Sequence, residues 1–296
     1  MHYMVVDLEW NGSFSKAAHG YFNEIIEIGA VMLDGSFKEI DRFHTVIKPT
    51  VSRKITDFVS DLTNIGQEEL RTGSSFPDAA EAWRMWAGEG PLTVLTWSRT
   101  DLSVLLENYR YFLHADRVPF MTRYADLQAY AQSHDKLGSP GQQMSLSRAC
   151  EALEISDQGF EAHRALDDAR MTAAIAARIL DPEALKPFVQ TADEAFYARL
   201  NFRPYYIKDI RSPLINPKYL RFRCPKCKKQ MKAVGEWRSK ANAFWADMEC
   251  RPCNQSCLAW VQFRKKFDGM EVKRKLTEKP SGDIKEKETE NHGKKR

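Results

Sequence analysis

The sequence predicts an α/β fold with a mixed five-stranded sheet flanked by helices, followed by a small cysteine-rich unit. Three apolar, β-favouring segments come early, and segments of strand and helical character then alternate. Five of the six cysteines lie within 34 positions near the C-terminus. Residues 1–200 hold 19 Lys and Arg against 29 Asp and Glu, whereas residues 201–296 hold 25 against 11. The change in charge and the cysteines together predict a boundary near residue 200.

The strands are predicted from short apolar runs bounded by turn residues. In chain order they cover residues 4–6, 24–33, 37–47, 92–96 and 123–127. A polar, Gly-containing connection is predicted over 11–23, and Asp34-Gly35 is a hairpin signal between the second and third strands. The early strands therefore form a meander before the β-α alternation begins.

The helices are predicted from apolar periodicity and alanine content. They cover residues 56–62, 78–86, 101–111, 145–153 and 165–180. The domains are predicted as an α/β body over 1–182, a helix and linker over 183–220, a metal-binding unit over 221–263 and a basic, disordered tail over 264–296.

The composition is that of a globular protein, with 43% hydrophobic residues in a chain of 296. The longest apolar runs are too short for a membrane span and the N-terminus lacks a signal-peptide pattern, so a cytoplasmic protein without membrane contact is expected. The acidic body is typical of metal-using domains, and the basic C-terminal part suits a polyanion. A basic tail that only aids solubility is the alternative interpretation.

Asp7 and Glu9 stand at the end of the first predicted strand. Residues two apart on a strand share a face, with Cα atoms about 6.5–7 Å apart. Paired carboxylates repel each other unless a cation lies between them, and their hard oxygens suit Mg²⁺ or Mn²⁺. Two solvated surface acids are the alternative, so further ligands downstream decide the matter.

Two later segments supply such groups. Asp101 follows the fourth strand at the start of a helix, where functional groups collect in open α/β sheets, although an acid that favours the helix dipole is the alternative. His163 and Asp168 are five positions apart and would lie on different faces of one helix. They converge only if His163 stands on a loop before the helix. Asp167 is interpreted as a simple helix-start acid.

These motifs, Asp7-x-Glu9, Asp101 after Trp97, and His163 followed by Asp168-Ala169, resemble the signature motifs of the DEDD family of 3′→5′ exonucleases. The third motif has a histidine, as in the DEDDh branch of this family, which the sequence therefore resembles. The N-terminal motif is most similar to that of KapD-like and ERI-type members. The likeness covers about residues 1–180. Ser98 departs from the glycine of many relatives without removing a ligand.

The resemblance implies an RNase H-like fold and two Mg²⁺ or Mn²⁺ ions in the active site. It implies that Asp7, Glu9 and Asp168 bind the ions with Asp7 bridging, that Asp101 holds the second ion, and that His163 takes the proton of the attacking water. The expected substrate is the 3′ end of single-stranded RNA or DNA. RNA is the preferred expectation because the resemblance is closest to exonucleases that act on RNA. Nucleoside 5′-monophosphates would be released.

The substrate contacts expected near the motifs are Leu8, Trp10 and Trp97. Aromatic residues beside a strand end that only pack in the core are the alternative. A second function, from a different class, also follows from the KapD-like resemblance. It is a regulatory module that uses the exonuclease fold for protein contacts, as an inhibitor of a sporulation kinase pathway.

The cysteine-rich unit contains two Cys-x-x-Cys motifs, formed by Cys224 and Cys227 and by Cys250 and Cys253. Four thiolates at this spacing predict one structural Zn²⁺, and the unit resembles a zinc ribbon. Cys257 is either packed in the core or competes with Cys253 as the fourth ligand. Basic residues interspersed with aromatic ones around the first motif suit single-stranded nucleic acid, and a docking site for a protein partner is the alternative.

Overall fold

The computed structural model describes residues 2–52, 54–134, 137, 143–156 and 159–278, and it divides the chain into units 1–201 and 202–296. The division falls at the boundary that charge and cysteine content predict. We call the first the nuclease unit and the second the ribbon unit. In the described part of the chain, every helix is too short or too polar to cross a membrane.

The nuclease unit is built on one mixed sheet. Its strands are β1 (His2–Ser15), β2 (Gly20–Leu33), β3 (Glu39–Val46), β4 (Leu92–Thr96), β5 (Arg123–Asp126) and β6 (Gln190–Thr191). Their order across the sheet is β3-β2-β1-β4-β5-β6. β4 runs parallel to β1 and to β5, while the other pairs are antiparallel. The predicted five strands are present, and β6 adds a short sixth at one edge.

Helices cover both faces of this sheet. They are α1 (Asp57–Thr63), α2 (Gln67–Thr72), α3 (Phe76–Ala87), α4 (Arg99–Leu113), α5 (Leu127–Gln132), α6 (Leu146–Ala152), α7 (Ala165–Ile179), α8 (Pro182–Leu185) and α9 (Glu194–Asn201). The alternation of β1 divides the core, since Met4 and Val6 pack with α3 and α4 while Tyr3 and Val5 pack with α5, α6 and α7. Asp7 and Glu9 continue the second series, so they point to the α7 side.

The polar connection predicted over 11–23 is wrong. After an irregularity between Glu9 and Trp10, β1 and β2 stay paired to the end of a long hairpin, where Ser15 faces Gly20. Asn11, at the start of this segment, is buried and hydrogen-bonds to a distant loop, so its polarity does not mark an exposed turn residue.

The ribbon unit is a second sheet, and it extends beyond the predicted range at both ends. Its strands are β7 (Tyr205–Tyr206), β8 (Lys232–Lys240), β9 (Ala243–Cys250), β10 (Gln255–Lys266) and β11 (Gly269–Glu278). The prediction of a disordered tail is wrong for 264–278, because β11 pairs with β10 along its whole length and half-buries Met270, Val272 and Leu276. Residues 279–296 of that predicted tail lie outside the described residues.

Candidate active site

The acids of β1 lie just beyond the point where its parallel pairing with β4 ends. Val6 pairs with Thr96, the last residue of β4, so Asp7 emerges beside the start of α4. A cavity of about 650 Å³ opens here. It is lined by every predicted site residue of the nuclease unit: Asp7, Leu8, Glu9, Trp10, Trp97, Asp101, His163 and Asp168. The groups that are far apart in the sequence are therefore neighbours in the fold.

Asp101 is held in place by the start of α4. The side chain of Ser98 caps this helix by accepting from the amide of Thr100, and its hydroxyl lies 3.4 Å from a carboxylate oxygen of Asp101. The backbone amide of Leu8 also donates to Asp101, which ties the carboxylate to the strand between Asp7 and Glu9. Asp101 is only 6% exposed. The serine that departs from the family pattern thus serves as a helix cap.

His163 precedes α7, as the convergence argument requires. Its backbone has a φ of 62°, in the left-handed region, and α7 begins two residues later. Asp168 lies in the first turn of α7, and its amide donates to the carbonyl of Arg164 at 2.9 Å. One ligand atom from each of Glu9, His163 and Asp168 lies within 4.8 Å of the others. His163 itself is exposed to solvent.

The start of α7 is fixed by Glu27, a residue for which the sequence predicted no site role. Its side chain is fully buried and accepts from the amide of Ala165 at 2.8 Å. It also accepts from Arg164 at 2.7 and 3.0 Å and pairs with His44 at 2.7 Å. Arg164, at the N-cap position of α7, makes no capping hydrogen bond with its side chain. Glu27 on β2 takes this role by accepting from a free amide of the first turn. An acid inside the apolar run 25–33 is the signal that could have revealed it.

Gly29 allows α7 to approach this closely. A Cβ at Gly29 would lie 2.1 Å from the carbonyl carbon of Ala165 and 2.2 Å from the amide nitrogen of Leu166. The helix therefore begins directly against the backbone of β2, and this contact sets the depth at which Asp168 enters the cavity.

The carboxyl groups of the cavity oppose one another's ionisation. Burial raises the pKa of Asp7 well above its ordinary value, and the neighbouring carboxyl groups raise it further. Burial and the charges of Asp168 and Glu27 raise the pKa of Glu9 to about 8. Burial also raises the pKa of Asp101 to about 7 and that of Asp168 to about 6, although His163 opposes the rise at Asp168. Such a cluster gains stability when divalent cations neutralise it, and its oxygen donors are those that Mg²⁺ and Mn²⁺ prefer.

A buried polar network fixes the opposite wall of the cavity. Glu24 accepts from the amides of Val51 and Ser52 at 2.8 and 2.7 Å. Asn11 donates to the Ser52 hydroxyl at 3.0 Å and accepts from the amide of Thr56 at 3.1 Å. Thr56 is the cap of α1, so the network anchors α1, whose side chains line the cavity.

Trp97 is a core residue at the cavity wall. It is 7% exposed, and its indole N–H donates to the carbonyl of Met144 at 3.1 Å. Leu8 is buried as well, whereas Trp10 is half-buried. Of the three predicted substrate contacts, Trp10 therefore presents the most accessible ring.

In the ribbon unit the four predicted cysteines converge. Cys224 and Cys253 have sulfur atoms 3.4 Å apart, Cys227 and Cys250 3.3 Å, and Cys227 and Cys253 3.6 Å. These distances are too long for disulfides and close to the edge of about 3.8 Å expected for a zinc thiolate tetrahedron. The amide of Cys227 helps lower the pKa of the Cys224 thiol to about 6, whereas burial raises that of the Cys250 thiol to about 12. It is therefore the convergence of the four sulfur atoms that fits zinc, which deprotonates the thiols that bind it. Cys257 packs in the apolar core outside this group.

Known proteins are similar to the nuclease unit. The chain is 32% identical over 179 residues to the PolC-type DNA polymerase III of Thermotoga maritima, which covers 60% of this chain and 12% of that one. It is 26% identical to human 3′-5′ exoribonuclease 1, over 54% and 47% of the two chains. It is 25% identical to the probable 3′-5′ exonuclease KapD of Bacillus subtilis, over 56% and 78%. The chain thus spans less than half the length of the first curated relatives it matches.

Among solved structures, the nuclease domain of 3′hExo, a DEDDh family member bound to rAMP, superposes with a TM-score of 0.52 and 22% identity. It covers 60% of this chain and 90% of that domain, which confirms the predicted fold. The model of the Exonuclease (RNase_T) family matches residues 4–176, and this range contains all the acids of the cavity, from Asp7 to Asp168. The resemblance to DEDDh exonucleases is thereby confirmed, and the chain belongs to the Exonuclease family.

Proposed function

We propose that the chain is a metal-dependent 3′→5′ exonuclease that removes nucleoside 5′-monophosphates from single-stranded nucleic acid, with RNA preferred over DNA. The observation that carries this proposal is the gathering of four acids and one histidine around a single cavity. The names of the curated relatives, which include exoribonucleases, support RNA as the substrate.

The carboxylates are the cation ligands in this proposal. Asp7, Glu9, Asp101 and Asp168 would hold two divalent cations, and ligand atoms of Glu9 and Asp168 already lie within 4.8 Å of each other. Bound there, two divalent cations supply Lewis-acid stabilisation of charge on the scissile phosphate and on the leaving 3′-oxygen. The raised pKa values of Glu9 and Asp101 support this assignment, because the cluster is short of positive charge.

His163 is the general base of the proposed reaction. It takes a proton from the water that attacks the phosphorus, and the bond from phosphorus to the 3′-oxygen of the preceding nucleotide breaks. Its position on an exposed loop before α7 suits this role, because the ring is open to solvent on one side and close to Glu9 and Asp168 on the other.

The terminal nucleotide is expected to lie against Leu8, Trp10 and Trp97 at the base of the cavity. Trp10 is the candidate for stacking on its base, because its ring is the most accessible of the three.

The direct test is incubation of the purified chain with end-labelled RNA and DNA oligomers and Mg²⁺ or Mn²⁺, with products identified by mass spectrometry. We expect 5′-monophosphates from the 3′ end, and a loss of at least about 10³-fold in Asp7→Ala and His163→Ala. Glu89→Ala, an exposed acid on the nuclease unit, is the matched control. Hydrolysis at the wild-type rate by a folded Asp7→Ala protein would refute the proposal.

The ribbon unit is proposed to hold one structural Zn²⁺ through Cys224, Cys227, Cys250 and Cys253 and to bind the nucleic acid strand. Its described residues 202–278 carry 19 Lys and Arg against 7 Asp and Glu, which supports a polyanionic partner. Replacing the exposed Arg223, Lys226 and Lys229 with Ala in the full chain should weaken RNA binding and flatten its salt dependence. Unchanged affinity would favour a protein partner.

A regulatory protein-binding module remains the alternative prediction. The complete set of acids and the histidine around the cavity favours hydrolysis over binding alone.

A further inference from the structure

Exposed apolar side chains gather at the mouth of the candidate active site. Phe14, Tyr21, Phe58 and Leu62 are 75%, 67%, 74% and 38% exposed, and they make up four of the ten large apolar side chains exposed within the described ranges. Tyr21, Phe58 and Leu62 line the cavity. Exposed apolar groups concentrated at one place mark an interaction surface, whereas scattered ones need no explanation.

Two of these rings come from the end of the β1–β2 hairpin. Phe14 and Tyr21 are directly opposite in register, so their side chains share a face of the hairpin. The ring of Tyr21 lies over Gly12, since a Cβ at Gly12 would lie 2.2 Å from the Tyr21 hydroxyl. The glycine therefore lets this ring lean along the hairpin toward the acids.

The third ring comes from α1, on the far side of the mouth. Phe58 is in the first turn of α1, whose cap, Thr56, is bound by Asn11 of β1. Asn11 and Glu24 are 0% and 1% exposed, and burying them costs free energy that only their complete hydrogen bonding offsets. The hairpin and α1, which carry the rings, are thus linked by a buried hydrogen-bond network that fixes their relative position.

An unpaired nucleic acid strand is the occupant that fits this surface. Tyr21 and Phe58 line the cavity in which the proposed reaction takes place, and Phe14 is paired with Tyr21 across the hairpin. A strand whose 3′ end enters that cavity must pass its mouth. Aromatic rings stack on any exposed base with little sequence preference. Paired bases hide their faces inside a duplex, so only a single-stranded end gains this contact.

We propose that Phe14, Tyr21 and Phe58 form an aromatic clamp that stacks on the bases immediately 5′ of the nucleotide being removed. The clamp rests on the proposed exonuclease function and adds a substrate requirement to it. The nuclease needs an unpaired 3′ tail of at least two or three nucleotides, and it selects for that tail through KM.

The test compares three substrates with the full-length protein. They are a single-stranded oligonucleotide, the same oligonucleotide with abasic sites at the two positions before the terminal nucleotide, and the p-nitrophenyl ester of thymidine 5′-monophosphate, which has no upstream base. The variants are Phe14→Ala and the double variant Phe14→Ala/Tyr21→Ala. Met85→Ala, 68% exposed on α3, is the matched control.

We expect the double variant to raise KM for the intact oligonucleotide by at least about tenfold, because stacking on each base is lost. The wild type should have a similarly raised KM for the abasic oligonucleotide. The double variant, which retains only Phe58 of the clamp, should show a much smaller difference in KM between the two oligonucleotides. Turnover of the ester by Phe14→Ala and by the control should be unchanged.

An unchanged KM for the intact oligonucleotide in the double variant would overturn the clamp. An equal loss on the ester and on the oligonucleotide would also overturn it, because it would reveal a general defect of the site. If the wild type hydrolysed neither the oligonucleotide nor the ester, that result would instead overturn the proposed function on which the clamp rests.

Discussion

The raised pKa values of the acid cluster predict that Mg²⁺ stabilises the folded nuclease unit at pH 8 and has almost no effect at pH 6. An acid whose pKa is raised by folding binds more protons in the folded state than in the unfolded state. The cation-free protein therefore loses stability as the pH rises from about 4 to about 8. A cation needs the ionised carboxylates of Glu9 and Asp101, so it competes with protons over the same range.

The magnitude follows from these two groups. With pKa values of about 8 for Glu9 and about 7 for Asp101, lowering the pH from 8 to 6 weakens cation affinity by about 10²- to 10³-fold. At a concentration of about 100 Kd at pH 8, Mg²⁺ adds about 2.7 kcal/mol to the free energy of unfolding, or about 5–10 °C in Tm for a unit of this size. The same concentration at pH 6 should raise Tm by less than about 1 °C.

The assay is thermal unfolding of the full chain at both pH values, with and without Mg²⁺, following the transition of the nuclease unit. Mg²⁺ prefers oxygen ligands, so the thiolate cluster of the ribbon unit does not contribute. Asp7→Asn removes one ionisable carboxyl group from the buried cluster, so it should raise Tm without cation and abolish the Mg²⁺ effect. A Mg²⁺ effect of equal size at pH 6 and pH 8, or one that survives in Asp7→Asn, would refute the reasoning.

Three further changes test the supports of the two sites. Gly29→Ala should lower Tm by several degrees and kcat by about 10²-fold, because its Cβ would lie 2.1 Å from the backbone of Ala165. Steady-state kinetics and thermal unfolding at fixed Mg²⁺ measure the two effects, and a wild-type kcat in the variant would contradict the prediction. Glu27→Ala should lower the free energy of unfolding by about 3–5 kcal/mol at pH 7, because it leaves the buried Ala165 amide without its acceptor and Arg164 with only its half-exposed partner Glu69. Hydrogen bonds lower the pKa of Glu27 despite burial, so the difference from wild type in urea unfolding should shrink as the pH falls below about 4.5, and a difference independent of pH would contradict the assignment. Cys253→Ser should reduce bound zinc from one equivalent by metal analysis, whereas Cys257→Ser should retain it, and equal loss in both would place Cys257 among the ligands.

Strand and helix positions could be predicted where the residues that determine them are neighbours in the sequence. The strand predicted over 92–96 has the observed bounds, Leu92–Thr96, because a Gly-Pro pair precedes it and the helix cap Ser98 follows it. The placement of His163 before α7 followed from helical geometry, since residues five apart on one helix cannot converge. The gathering of the acids around one cavity followed from the family resemblance.

The features that sequence reasoning missed depend on partners far along the chain. Asn11 was predicted in a loop and Glu24 only as a strand residue, because nothing in their neighbourhood shows that residues 50–56 will satisfy them in the core. Glu27 read as part of an apolar strand for the same reason. β11 was missed because its charged residues alternate with half-buried ones on a strand that is stable only beside β10.

The link between Glu27 and Ala165 has a consequence for how the protein is made. These two residues are 138 positions apart, so the amide that orients the last motif meets its acceptor only after most of the nuclease unit has been synthesised. At about 5–20 residues per second, roughly 7–28 s pass between the appearance of one and of the other. An unfinished chain on the ribosome consequently lacks the completed acid cluster until α7 has been synthesised and has docked on β2.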